Sequence, residues 1–238
     1  IGVRLVGSEM CIRDRLYTLE DDTDGDGLIT PADGNGIPEQ FGQIMPGDIK
    51  YTDLNGDGRI DAYDQKQIGN GDVPYFTYGL GISTQYKNFD LSVFFQGQHA
   101  ADILLSGIGI QPFIGDGGRG NLYTIAEDRW TVENNDAYAT YPRLSYGSSG
   151  IGQTNNTQAS TWWLRDVNFL RLKTAEIGYT LPQNVSERLD LDNVRFYMRA
   201  TNLFTISDFD LWDPELLTSN GGQYPNISVG SVGVTFRF

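Results

Sequence analysis

Hydrophobic and polar residues alternate with a period of two along much of the second half of the chain. The stretch FTYGLGISTQY at 76–86 places hydrophobic residues at every second position, and FDLSVFFQGQ at 89–98 repeats the pattern after a two-residue turn. Such alternation is typical of β-strands with one apolar face. Three later stretches share it: RLKTAEIGYTL at 171–181, VRFYMRATNLF at 194–204 and SVGVTFRF at 231–238. The chain is therefore predicted to contain five strands of about ten residues each, the first two paired as a hairpin.

The third predicted strand contains a break in its alternation. Ala175 and Ile177 share one phase, whereas Leu170 and Leu172 fall in the opposite phase. One extra residue in a strand shifts the phase of everything beyond it, and this is the definition of a β-bulge. The sequence therefore predicts either a bulge in this strand or a point at which the strand emerges from its apolar environment.

The lengths of the connections distinguish a membrane barrel from a soluble β-sandwich, because strands alternate in both. The connections at 87–88 and 182–193 are short, whereas those at 97–168 and 206–228 are long. Short turns at one end and long loops at the other are typical of outer-membrane barrels, whose long loops lie outside the cell. We therefore expect Ile177, Phe196 and Val234 to face lipid, and Thr180 and Thr235 to face the lumen.

An acidic loop, DLNGDGRIDAYD, precedes the first strand at residues 53–64. A twelve-residue calcium loop needs oxygen ligands at positions 1, 3, 5, 7, 9 and 12 and a glycine at position 6. Position 12 is an aspartate here, so its contact with a metal is expected to be weaker than that of the usual glutamate. The predicted calcium ligands are Asp53, Asn55, Asp57, the Arg59 carbonyl, Asp61 and Asp64, with Gly58 at the turn.

A second loop of the same register lies upstream, and Pro31 prevents it from continuing into an EF-hand helix. We rank this loop below the first, because residues 21–44, which contain it, look like a longer insertion than is usual at this place in similar chains. The alternative for both loops is an acidic, glycine-rich turn without an ion, since Asp, Asn and Gly are also common in ordinary turns. The weaker predicted site comprises Asp22, Asp24, Asp26, the Leu28 carbonyl, Thr30 and Asp33.

Composition and charge narrow the class of protein. The 29 glycines, 13 tyrosines and 12 phenylalanines among 238 residues favour β-structure, and the net charge of −14 argues against nucleic-acid binding. The first fifteen residues, which include VRLVGSEMCIRDR, lack alternation and resemble a translated adapter sequence, so they are expected to lie outside the fold. Their Cys11 is the only cysteine of the chain. The predicted organisation is a non-native segment at 1–15, an extracellular calcium-type loop region at 16–75, and barrel strands with long loops at 76–238.

Several segments, in order, carry a family resemblance. They are GDIKYTDLNGDGRID, IGNGDVPYFTYGLG, YKNFDLSVFFQGQ, DRWTVENNDAYATYPRL, FLRLKTAEIGYTLP, NLFT, WDPE and VGVTFRF. Together they resemble the C-terminal part of the SusC/RagA family of TonB-dependent outer-membrane transporters.

The resemblance implies an all-β fold, in which five strands form the end of a large, plugged, antiparallel transmembrane barrel with long extracellular loops. Five strands cannot close such a barrel, so the chain is expected to be an incomplete fragment whose plug and TonB-binding segment are encoded upstream. The implied function is uptake of an oligosaccharide or peptide with a SusD-like lipoprotein, without catalytic residues. Calcium would then be structural.

The end of the chain is expected to serve barrel assembly. Outer-membrane barrels commonly finish on an aromatic residue of the last strand, which the barrel assembly machinery recognises. The residues of this chain that match that pattern are Val232, Val234, Phe236 and Phe238.

Two other classes of protein remain as alternatives. A secreted dockerin-like module would also carry two calcium loops, but it does not need the strands that follow. A β-rich glycan-active enzyme would need two facing carboxylates, and no pair among the 31 acidic residues stands out. Trp162, Trp163 and Trp212 are expected to pack in loops or at the membrane interface, with sugar stacking as the alternative.

Overall fold

The structure, a computed structural model, describes residues 8–34, 36–107, 109–113, 120–146 and 153–238. Within these residues the helices are short pieces of three or four residues, and none is long and apolar enough to cross a membrane. The α-helices are α1 (Gln153–Asn156) and α2 (Gln183–Ser186). The strands are β1 (Ser8–Cys11), β2 (Arg13–Leu16), β3 (Ile49–Tyr51), β4 (Gln65–Ile68), β5 (Phe76–Tyr86), β6 (Phe89–His99), β7 (Asp102–Leu104), β8 (Leu164–Asp166), β9 (Phe169–Thr180), β10 (Asn193–Ile206) and β11 (Val229–Arg237).

The five long strands form one antiparallel sheet in the order β5, β6, β9, β10, β11. These are the five predicted strands: β5 has the predicted bounds, and the ends of the others lie within two residues of the predicted ends. The prediction of antiparallel barrel-type strands is therefore confirmed. A two-residue turn joins β5 to β6, and Lys87 in this turn adopts a left-handed conformation with φ of 55°.

The register of the sheet separates its two faces. Directly paired residues of neighbouring strands share a face, and Ile177 is paired with Leu91 on β6 and Met198 on β10. On the opposite face, Arg195 lies between Thr180 of β9 and Thr235 of β11. The predicted division of the side chains into two faces follows this register. A representative row of the apolar face is Phe89, Tyr179, Phe196 and Val234.

The predicted bulge lies in β9. Thr174 pairs with Phe94 of β6, but the next pair joins Leu172 to Phe95, so that Lys173 is an additional residue. The pairing with β10 shifts at the same place. Because of this shift, Leu172 lies on the apolar face and Arg171 on the polar face, although the strand's simple alternation would have placed them the other way.

The two ends of the sheet carry connections of different lengths. Residues 87–88 and 181–192 link strands at one end, where the second link contains α2 and a 3₁₀ helix at Glu187–Leu189. Residues 100–168 and 207–228 leave from the other end. The predicted asymmetry between short and long connections is confirmed.

A separate compact unit is formed by the described residues within 1–72, 102–165 and 218–222. It contains three two-stranded sheets, β1 with β4, β2 with β3, and β7 with β8. Part of its core is a cluster of buried side chains close to the acidic loops, namely Tyr17, Ile29, Ile37 and Ile44. Residues 102–165 thus belong to the same unit as the calcium-type loops.

The expectation that residues 1–15 lie outside the fold is wrong for residues 8–15. Cys11 pairs with Gln65, and Arg13 pairs with Tyr51. Met10 and Cys11 are fully buried. The segment lacks alternation because β1 and β2 are only four residues long, too short for a period to be recognised. Residues 1–7 lie outside the described residues, and the origin of the segment as translated adapter sequence stays a prediction.

Candidate functional site

The loop at 53–64 is held together by hydrogen bonds from its own backbone to its acidic side chains. Asp53 accepts hydrogen bonds from the N–H groups of Gly56 and Gly58, at 2.7 and 2.8 Å. Both glycines have positive φ, 75° and 85°, a conformation that side-chain-bearing residues rarely adopt. Asn55 accepts from the Asp57 N–H at 2.9 Å, and Asp57 accepts from the Arg59 N–H at 2.9 Å. These bonds fold the oxygen-bearing side chains around one small turn.

The loop at 22–33 repeats the same arrangement residue by residue. Asp22 accepts hydrogen bonds from Gly25 and Gly27, each at 2.9 Å. Asp24 accepts from the Asp26 N–H at 3.1 Å, and Asp26 accepts from the Leu28 N–H at 2.7 Å. Two segments 31 residues apart thus share one hydrogen-bonding pattern, as their matching sequences predict.

Position 12 closes each loop. Asp64 is fully buried and accepts hydrogen bonds from the N–H groups of Leu54, at 2.8 Å, and Asp61, at 2.9 Å. Burial opposes ionisation of Asp64, but these hydrogen bonds outweigh it and lower the pKa of the carboxyl group. The pKa of Asp33 is lowered mainly by the hydrogen bond from the Thr30 N–H. Both carboxylates are therefore negatively charged at neutral pH and suited to a cation.

The two loops differ at the third position of the ligand pattern. Asp22, Asp24 and Asp33 each bring one carboxylate oxygen within 4.8 Å of the others. At the matching third position the loop at 53–64 has Asn55, which offers a neutral amide oxygen. Each loop nevertheless carries four aspartates, and the ranking of the two loops stays a prediction. The oxygen ligands and negative charge of both loops fit a calcium ion.

In the part of the chain that the structure describes, neither loop leads into an α-helix. Position 12 of each loop ends a single 3₁₀ turn, Pro31–Asp33 in one and Ala62–Asp64 in the other. Pro31 occupies the first position of its turn, where a missing N–H costs nothing, and the chain does not continue as a helix. The loops thus lack the flanking helices of an EF-hand or a dockerin-like module.

The polar face of the five-stranded sheet carries a ladder of ion pairs across three strands. Arg195 on β10 pairs with Asp90 on β6 and, at 2.7 Å, with Glu176 on β9. Glu176 also pairs with Arg199 at 2.6 Å. The opposite face carries exposed hydrophobic side chains such as Ile177, of which about half is exposed. A sheet that is charged on one face and apolar on the other suits the wall of a water-filled membrane barrel.

A second charged cluster was not recognised from the sequence. Arg171 and Lys173 of β9 form ion pairs with Asp213 and Glu215 from the connection after β10. The two acidic residues belong to the segment WDPE, which was noted only as a family motif. Strand periodicity indicates which face a residue occupies, but it does not indicate which loop returns to that face.

The residues predicted to serve assembly lie on the apolar face at the edge of the sheet. Val234 and Phe236 are paired with Phe196 and Val194 of β10. Phe238 follows the last residue of β11 and is 91 % exposed. These positions leave the terminal aromatic ring accessible, and its role in assembly stays a prediction.

The tryptophans expected to pack in loops do so. Trp162 and Trp163 are buried, and the Trp163 ring lies edge-on to that of Tyr141, with 5.7 Å between ring centroids. Trp212 packs against Phe209 at 5.1 Å. Burial of Trp162 and Trp163 leaves no ring face free for a sugar at these two positions.

The curated relatives of the chain are receptors. It is 30 % identical over 251 residues to "TonB-dependent receptor P26" of Formosa agariphila, covering 100 % of this chain and 22 % of that protein. It is 28 % identical over 213 residues to "TonB-dependent receptor P3" of the same organism, covering 83 % of this chain and 20 % of that protein. The chain therefore spans about a fifth of the length of the curated relatives it matches. No family model matches the chain.

Solved structures agree with the relatives on the fold. The RagAB peptide importer in its open-open state matches with a TM-score of 0.61 and 19 % identity, over 98 % of this chain and 22 % of that chain. Its closed-closed state matches with the same TM-score and 20 % identity, over 97 % of this chain and 23 % of that chain. The two-faced antiparallel sheet with long connections at one end has the fold of the corresponding part of the RagAB importer, and the similarity to the curated relatives identifies the chain as part of a TonB-dependent receptor of the outer membrane.

Proposed function

We propose that this chain forms part of an outer-membrane barrel that imports a large nutrient, an oligosaccharide or a peptide, with energy delivered through TonB. The observation that carries the proposal is the two-faced sheet, with ion pairs on one face and the row through Leu91, Ile177 and Met198 on the other. The names of the curated relatives support the dependence on TonB, and the RagAB importer supports a peptide as one class of substrate. No step of this function makes or breaks a covalent bond in the nutrient.

Deletion of the complete gene tests the proposal. A deletion strain should lose growth on one class of oligosaccharide or peptide, and the complete gene should restore it. Deletion of the tonB gene should abolish the same uptake while the receptor stays in the outer membrane. Unimpaired growth of the deletion strain on every oligosaccharide and peptide tested would contradict the proposal.

We also propose a SusD-like lipoprotein as the outer partner. The RagAB importer is a two-component complex, and its likeness to this chain supports such an arrangement. A tagged receptor, extracted in mild detergent, should co-purify with one lipoprotein in equal amount. Recovery of the receptor alone, after extraction that preserves a known complex of this type, would contradict the partnership.

We further propose that each acidic loop binds one structural calcium ion. The proposed ligands of the first ion are Asp53, Asn55, Asp57, the Arg59 carbonyl, Asp61 and Asp64. Those of the second are Asp22, Asp24, Asp26, the Leu28 carbonyl, Thr30 and Asp33. Carboxylates that are anionic and already oriented by backbone N–H groups support both sites.

Paired substitutions test the calcium proposal in the full-length protein. Asp53→Ala with Asp57→Ala should remove one bound calcium and make residues 45–75 sensitive to protease, and a chelator should do the same to the unchanged protein. Barrel assembly should be unaffected, because the loop lies outside the sheet. Asp136→Ala is a matched control, since this aspartate also accepts a backbone hydrogen bond, from Tyr138, but lies outside both loops. Equal protease sensitivity with and without chelator would show that the loops are turns without an ion.

A further inference from the structure

The connection after β10 folds back onto the polar face of the sheet. We call residues 207–217 the strap. We propose that the strap is a fixed part of the inner wall of the pore, locked by Arg171, and does not move with the extracellular loops during uptake. This inference rests on the proposed function, because it takes the polar face to line the pore.

Arg171 is the centre of the lock. Its side chain is 3 % exposed, and all three of its guanidinium nitrogens have partners. Nε donates to Thr205 of β10 at 2.8 Å, one terminal nitrogen donates to Glu215 at 2.8 Å, and the other donates to Asp213 at 2.5 Å. A buried arginine is strongly disfavoured without partners, so its charge requires the strap to stay in place.

Glu215 joins the strap to two strands at once. Besides Arg171, its carboxylate accepts two hydrogen bonds at 2.9 Å from Lys173 and one at 3.4 Å from Gln96 of β6. Asn226, shortly before β11, donates to it at 2.9 Å. Asp213 and Glu215 thus face two cationic side chains of β9, and the charges of these four residues balance. Such a balanced, multiply hydrogen-bonded cluster is held more firmly than an exposed ion pair.

The strap is also ordered within itself. Asp213 accepts a hydrogen bond from the Glu215 N–H at 3.0 Å and thereby caps the 3₁₀ turn Pro214–Leu216. Pro214 and Phe209 are buried, and Ser207 donates to the Asn168 carbonyl at 2.6 Å. The residue that binds Arg171 therefore also fixes the local backbone, which couples the shape of the strap to its attachment.

The bulge in β9 explains why the lock forms at this position. The extra residue, Lys173, shifts the phase so that Arg171 lies on the polar face beside Gln96 and Thr205. This position is near the end of the sheet that carries the long connections. The strap therefore covers the polar face near the outer rim, where it reduces the cross-section of the pore.

Proteolysis of intact cells that express the full-length protein tests the lock. Chymotrypsin can cleave after Phe209, Leu211 or Trp212, but a locked strap should be resistant. Arg171→Leu should make cleavage within 207–217 at least about tenfold faster, because cleavage follows the population of the open form. Asp213→Asn combined with Glu215→Gln should have the same effect without changing a strand residue.

Arg199→Leu is the matched control. It removes an ion-paired arginine from the same face, but its partner Glu176 lies in β9 rather than in the strap. This variant should be as resistant as the unchanged protein. If Arg171→Leu fails to reach the surface, the Asp213→Asn and Glu215→Gln variant decides the question. Rapid cleavage of the unchanged strap, or a resistant strap in surface-assembled variants, would overturn the inference. Neither result depends on uptake, so failure of the lock is distinguishable from failure of the proposed function.

Discussion

The apolar face of β9 provides a graded test of the membrane orientation. Ala175, Ile177 and Tyr179 lie on this face at successive second positions. A strand rises about 3.3 Å per residue, and at a tilt of about 40° two residues correspond to about 5 Å of depth. Because Ala175 lies near the middle of Phe169–Thr180, Tyr179 should lie about 10 Å from the midplane, close to the edge of an apolar band about 25 Å tall.

These depths set the expected cost of placing an arginine on the face. Arginine at the midplane of a barrel costs about 2–4 kcal/mol and near the interface about 0–1 kcal/mol. We therefore expect Ala175→Arg to cost most, Ile177→Arg about 2 kcal/mol, and Tyr179→Arg least. On the opposite face, Thr180→Arg should cost below about 1 kcal/mol, although the new side chain lies directly across from Arg195.

The assay is the guanidinium unfolding midpoint of the full-length barrel in lipid vesicles, together with the folded fraction on unheated gels. The expected order of loss is Ala175→Arg, then Ile177→Arg, then Tyr179→Arg. Thr174→Arg is a further control, because its direct partners on the polar face are Phe94 and Thr201. Equal losses on the two faces, or losses without a depth gradient, would refute the orientation and favour a soluble sheet with two packed faces.

Three further predictions concern close packing, assembly and pH. Gly97→Ala should reduce the folded fraction, because a Cβ there would approach the Phe169 carbonyl to 2.6 Å; Gly230→Ala, where nothing lies within 4 Å, should be neutral in the same gel assay. Deleting Phe238, or adding a charged extension after it, should lower the amount of receptor in the outer membrane and leave periplasmic fragments on immunoblots; normal levels would remove this residue from the assembly signal. Burial opposes ionisation of Asp213, but hydrogen bonds from Arg171 and the strap's backbone outweigh it and lower the pKa of this carboxyl group. The Asp213 anion therefore stabilises the strap fully at any pH above the ordinary carboxyl pKa of about 3.9. This stabilisation is lost as the pH falls through the lower pKa of the folded state. The protection of the strap's amides against hydrogen exchange, relative to an unfolded peptide at the same pH, should therefore stay high from pH 7 to about pH 4. A loss of this protection already at pH 6 would contradict the assignment.

The sequence predicts the sheet well because each long strand carries its own periodicity. The bounds of β5 follow from alternation alone, and the break in alternation marks the place where pairing with β6 shows a bulge in β9. The same argument fails for Ser8–Cys11 and Arg13–Leu16, where four residues are too few to establish a period. Prediction from periodicity therefore works for the long strands and not for short strands such as β1 and β2.

Contacts between distant segments account for most of what the sequence does not reveal. Nothing local to Arg171 indicates that Asp213 will neutralise it, because the pairing depends on the path of a loop in three dimensions. The close approach of Asp22, Asp24 and Asp33 likewise depends on side-chain geometry that the sequence does not show. In contrast, the pattern of glycines and acidic residues was sufficient to predict that both loops share one conformation.

The pairing of β6 with β9 affects where the chain can accept insertions during evolution. These strands pair residue by residue although residues 100–168 separate them in the chain. Because the entropic cost of closing a loop grows slowly with its length, insertions in this excursion should leave the sheet almost undisturbed. The strands and this connection can thus diverge at different rates, and relatives should differ more in length within residues 100–168 than within the paired strands.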